Sequence, residues 1–119
     1  MVALEPAHLV GTGGALGALC RYYLTQAVQE ETFPLGTLSV NVVGSFVLGL
    51  LTFAGVTGDL SLLVGVGACG SFTTFSSFSF ETVRLWEDGY LAMATLNAIG
   101  NLVGALAAIG LAWGLVQIV

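Results

Sequence analysis

Long apolar runs alternate with short polar knots along this chain. Uncharged stretches cover residues 32–58, 60–80 and 89–119, and a further apolar stretch, 7–28, is interrupted by His8 and Arg21. About 20 apolar residues carry an α-helix across the hydrocarbon core of a bilayer. The pattern therefore predicts four transmembrane helices, at about 7–28, 36–56, 60–85 and 91–117, in one transmembrane domain covering residues 1–119. Short connections make successive helices antiparallel, so both chain ends fall on one side.

Composition agrees with the pattern. Hydrophobic residues make up 56% of the chain and charged residues 8%, whereas a soluble domain carries about 25% charged residues. A multi-pass membrane protein is expected, with almost nothing left for a soluble domain. The start lacks the basic flank and cleavage pattern of a signal peptide, so the first apolar segment is expected to be retained. A net charge of -5 with no lysine argues against nucleic acid or anionic lipid as partners. Arg21 and Arg84 both fall toward the side holding the 29–35 and 86–90 connections, and two arginines bias orientation weakly, so either orientation in the membrane is open.

Reactive chemistry is sparse. Cys20 and Cys69 lie within predicted spans and read as small hydrophobes rather than a disulfide or metal pair. His8 reads as interfacial. There is no zinc-ligand spacing, Ser/His/Asp set or carboxylate pair, so an enzyme is not expected.

The polarity inside the spans carries the functional signal. Residues 70–78, GSFTTFSSF, place hydroxyls and three phenylalanines in the middle of an uncharged stretch. A bilayer tolerates hydroxyls and broken helix only where they are enclosed by protein or line a polar path. With Gly65 and Gly67 upstream, the helix is expected to weaken between Gly70 and Thr74 and to free carbonyl oxygens. Such dipoles suit a hard monovalent cation such as Na⁺, and a break on a two-fold axis lets each subunit supply half the cage.

Helical spacing adds three stripes. Thr37, Asn41 and Ser45 share one face of the second span, with Thr52 beyond them. Thr74, Ser77 and Glu81 share a face of the third, with Phe75 and Phe78 beside them, and Asn97, Asn101 and Gly104 share a face of the fourth. Neutral hydroxyl and amide donors can replace water around a small anion, and phenylalanine edges are electropositive. The plainer reading is hydrogen bonding that holds the helices together. Glu81 is expected either to face water at a pore end, to bond hydroxyls such as Ser77, or to be protonated as the ion passes. Small residues spaced four apart, Gly13/Gly17, Gly14/Ala18, Ser45/Gly49, Gly100/Gly104 and Gly110/Gly114, predict close helix contacts. So small a bundle encloses little space, and a symmetric dimer is the simplest assembly.

Residues 13–22 (GGALGALCRY), 36–46 (GTLSVNVVGSF) and 69–81 (CGSFTTFSSFSFE) resemble the CrcB/Fluc fluoride channels, in order and across nearly the whole chain. The resemblance implies an all-α membrane protein with four transmembrane helices per subunit and a third helix broken mid-membrane. It also implies an antiparallel dual-topology dimer, expected as a homodimer, while the placement of Arg21 and Arg84 on one side leaves open a heterodimer with a related chain of opposite orientation. The implied function is a fluoride ion channel of the cell membrane: passive fluoride export that reduces toxicity, with a central, structural and non-transported Na⁺.

By motif, the backbone carbonyls of Gly70 and Thr73 hold the Na⁺. Asn41 donates to fluoride, and Phe75 and Phe78 supply aromatic edges. Thr37, Ser77 and Glu81 belong to or adjoin the polar track, and Arg21 sits near a vestibule. Members often place Ser four residues after the fourth-span Asn, whereas this chain has Asn101, whose amide still offers a donor. Two rival readings are a proton-coupled fluoride or small-anion transporter using Glu81, and an accessory structural membrane subunit.

Overall fold

A computed structural model describes residues 5–119, and all regular structure among them is helical. The first helix is Pro6–Ala27 and the second Leu35–Phe53. The third crossing begins with Gly58–Leu60, continues as a π-helix over Ser61–Cys69 and closes with Gly70–Phe72. A trailing helix, Phe75–Glu87, completes it, and the last helix is Leu91–Ile118. Leu35–Phe53, Gly58–Glu87 and Leu91–Ile118 are long and apolar enough to cross a membrane. The first helix has 22 residues, enough for a crossing at 1.5 Å per residue, but glycines, His8 and Arg21 make it less apolar.

The packing suits lipid as the surrounding medium. Large side chains such as Leu16, Leu19, Val66, Leu102, Leu106 and Leu111 are exposed, while Val40, Ala94, Ala108 and Ala112 form the buried seam. Small residues let backbones meet where no hydrophobic force drives helices together. Gly13 and Gly17 of the first helix lie against the Leu63 and Ala68 carbonyls of the π segment. From the other side, a Cβ added at Gly67 would stand 2.8 Å from the Val10 carbonyl oxygen and 3.0 Å from the Gly13 Cα. Ser71 Oγ pins the same contact by donating to the Gly14 carbonyl at 2.6 Å.

The second and last helices pair in the same way. A Cβ at Gly49 would lie 3.0 Å from Ala112 Cβ, and one at Gly104 would lie 2.9 Å from Val42 Cγ2. The Gly110/Gly114 pair behaves differently from expectation, because nothing lies within 4 Å of either added Cβ. Cys20 is exposed and Cys69 buried, and both are free thiols.

Turn chemistry explains the hairpin ends. Gly55 and Gly89 have φ of 75° and 87°, left-handed values that glycine adopts without a Cβ penalty. In each case the next N–H reaches back across the turn, Val56 to Leu51 O at 3.0 Å and Tyr90 to Leu85 O at 2.9 Å. These are Schellman-type closures that satisfy the final carbonyls.

The interruption falls at Thr73 (φ -81°, ψ 158°) and Thr74 (φ -147°, ψ 118°), both extended. Gly70, expected to begin the weakening, remains helical.

Candidate functional site

Asn41 is the side chain that meets the extended backbone. Its Oδ1 accepts from the Thr74 N–H at 2.8 Å, and its Nδ2 donates to the Thr74 carbonyl at 3.1 Å. The amide thus pairs with both backbone groups of one residue. In an uninterrupted α-helix the Thr74 N–H would bond the Gly70 carbonyl. Asn41 takes that donor instead, leaving the Gly70 oxygen without its helical partner. The Thr74 hydroxyl then caps the trailing helix by accepting from Ser77 N–H at 3.1 Å, which satisfies one of the helix's orphan donors.

A second contact reaches the trailing helix about two turns beyond Thr74. Thr37 Oγ1 donates to Glu81 Oε1 at 2.8 Å. Of the arrangements expected for Glu81, the structure therefore shows hydroxyl bonding, with Thr37 rather than Ser77 as the partner. Glu81 Oε2 is enclosed and takes no hydrogen bond among the described residues.

Thr37, Thr74, Ser77 and Glu81 line one wall of an open cavity of about 1170 Å³, with Arg21 and Arg84 also on its surface. Charge in the cavity is mixed, because Glu30, Glu31 and Asp88 line it too. Asn41 and Asn101 stand behind this wall. Asn41 Nδ2 donates to Asn101 Oδ1 at 2.9 Å, and Asn101 Nδ2 donates to the Asn97 carbonyl at 2.8 Å and to Asn97 Oδ1 at 3.0 Å. The expected free donor on Asn101 is thus engaged within the chain.

Phe75 and Phe78 do not line this cavity. Phe75 and Phe78 have ring centroids 5.7 Å apart and planes inclined by 50°. Phe75 is 79% exposed, and Gly70 is also exposed. Thr52 does not join the site, since it donates to its own helix at Leu48 O.

Two residues escaped the sequence reading. Thr82 accepts from Asn97 Nδ2 at 2.8 Å, and its place one turn after Phe78 was the available signal. Gly44 lies against the Thr73 side chain, and a Cβ there would come within 3.1 Å of the Phe72 ring. No local pattern marked that glycine as the floor of the break.

A family described as "CrcB-like protein, Camphor Resistance (CrcB)" matches residues 8–113. This chain belongs to the CrcB family. Among CrcB relatives, the chain is 79% identical over 119 residues, all of both chains, to "Fluoride-specific ion channel FluC 2" of Haloarcula marismortui. It is 53% identical over 111 residues to "Fluoride-specific ion channel FluC 1" of Halobacterium salinarum, covering 93% of each chain. It is 43% identical over 106 residues to "Fluoride-specific ion channel FluC 3" of Methanosarcina acetivorans, covering 88% of this chain and 96% of that one. The CrcB match includes the second helix, both parts of the third crossing and most of the last helix.

Proposed function

We propose that this CrcB protein is a fluoride-specific channel, not an enzyme, and that it lets fluoride leave the cell passively across the cell membrane. The observation that carries this reading is full-length similarity to a relative named as such a channel. The polar break, with Asn41 bound to it, supplies the physical setting.

Fluoride binds water strongly, so a selective path must offer close replacement donors. From the cavity, the anion meets the Thr37, Ser77 and Glu81 wall, with Arg21 at its approach. It then passes Asn41 and the edges of Phe75 and Phe78. Both Nδ2 hydrogens of Asn41 are already engaged, so the amide receives fluoride by exchanging one of those acceptors. Larger halides fit less well against donors held this firmly.

The donor set at the break fits sodium. The Gly70 carbonyl has lost its helical donor to Asn41, Thr73 is extended, and a Cβ added at Gly70 would meet nothing within 4 Å. Gly70 and Thr73 from two antiparallel subunits would hold Na⁺ through carbonyl oxygens. Bound sodium would supply a fixed positive charge beside an anion path of low dielectric. Exposure of Gly70 and Phe75 in one subunit supports a second copy covering this face.

The test uses purified chain in liposomes and a fluoride electrode. Fluoride release should follow the fluoride electrochemical gradient, ignore an imposed proton gradient, and fall when Na⁺ is replaced by a larger cation. Absence of fluoride release overturns the reading. The unpartnered Glu81 Oε2 favours a second reading, proton-coupled transport, and release driven by the proton gradient would establish it. Release that requires a second related chain would establish a heterodimer.

A further inference from the structure

Asn97 has no part in the pathway above, yet its side chain is fully buried. It belongs to a circuit that begins and ends on the trailing third-crossing segment. Thr74 N–H donates to Asn41 Oδ1 at 2.8 Å, and Asn41 Nδ2 donates to Asn101 Oδ1 at 2.9 Å. Asn101 Nδ2 donates to Asn97 Oδ1 at 3.0 Å, and Asn97 Nδ2 donates to Thr82 Oγ1 at 2.8 Å. Thr82 Oγ1 donates to the Phe78 carbonyl at 2.7 Å. The circuit leaves the extended break, passes through the second and last helices, and returns at Phe78.

Every donation runs in the same sense. A backbone N–H cannot accept, so Asn41 must turn Oδ1 toward Thr74 and Nδ2 toward Asn101. That choice agrees with the Asn101 orientation also fixed by the Asn97 carbonyl, which accepts from Asn101 Nδ2 at 2.8 Å, and Asn101 in turn orients Asn97. Backbone groups of Thr74 and Asn97 therefore set the three asparagine flips in one consistent sense, and hydrogen bonds aligned in this way polarise and strengthen one another.

We propose that Asn97 and Asn101 are positioning residues, which hold the Asn41 amide on the Thr74 backbone and tie the break to the setting of Phe78 without touching the anion. This rests on the channel reading above for its functional consequence. Its structural consequence stands apart from fluoride.

The experiment follows the Asn41 side-chain amide by NMR in ¹⁵N-labelled protein in nanodiscs, alongside fluoride efflux from liposomes. In Asn97→Ala and in Asn101→Ala, the Asn41 amide should exchange with water roughly tenfold faster, with efflux reduced by a similar factor. The double variant should be little worse than the worse single one, because either change opens the same circuit. Unchanged Asn41 exchange in both single variants overturns the proposal. Efflux lost in Asn101→Ala with Asn41 exchange unchanged also overturns it, since Asn101 would then act directly on the ion. If the alanine variants fail to fold, the near-isosteric Thr82→Val carries the test, with faster Asn41 exchange expected and an unchanged rate overturning the proposal. A wild-type protein that passes no fluoride contradicts the channel reading and leaves the exchange result intact.

Discussion

Replacing Asn41 with leucine removes three hydrogen bonds while nearly preserving volume: one from Thr74 N–H, one to the Thr74 carbonyl and one to Asn101 Oδ1. The Thr74 N–H then has one local remedy, which is to return to the Gly70 carbonyl and carry the helix through the break. One bond is regained and two are lost. Side-chain hydrogen bonds between membrane helices are worth about 0.6 to 2 kcal/mol each, so the net destabilisation is about 1 to 4 kcal/mol. The assay pairs denaturant titration of the solubilised protein with backbone hydrogen exchange at Thr74. Lower stability, a Thr74 amide protected as in a continuous helix, and fluoride efflux reduced by more than about tenfold are the expected results. Wild-type stability together with an unaltered Thr74 amide would refute the argument that Asn41 keeps the helix open.

Other predictions concern packing and the cavity wall. Gly67→Ala forces a Cβ to within 2.8 Å of the Val10 carbonyl, an overpacking that should cost about 1 to 3 kcal/mol in the same titration. Gly110→Ala meets nothing within 4 Å and should leave stability within about 0.5 kcal/mol of wild type; equal effects at the two positions would refute the assigned contacts. Thr37→Val removes the 2.8 Å bond to Glu81 and should lower fluoride efflux several-fold, about the effect of one lost hydrogen bond. Efflux at the wild-type rate would remove Thr37 from the path.

Sequence and tertiary structure decided different parts of this protein. The hydropathy runs settled where helices form, because unsatisfied backbone groups are too costly in lipid for other open structures. Gly55 and Gly89 close two helices at positive φ, although the expected second span ran on to residue 56. The polar segment at 70–78 announced an interrupted crossing, and the stripes picked out Thr37, Asn41, Ser77, Glu81 and Asn101 by helical period alone. The break lies within the expected interval, Gly70 to Thr74, but the chain could not reveal locally which residues of that interval open. Gly70 has the weaker intrinsic helix preference, yet the break falls at Thr73 and Thr74 because Asn41, 33 residues away, competes with the Gly70 carbonyl for one N–H. Hydroxyl bonding was one of the arrangements expected for Glu81, with Ser77 as the example close in sequence, whereas the hydroxyl that bonds it, Thr37, arrives from another helix. Small-residue spacing had the same limit: Gly13/Gly17 and Gly110/Gly114 share it, but only the first pair has a backbone opposite. Periodicity says which face a residue occupies. The partner on that face depends on helix packing, and here that partner decided where the backbone opens.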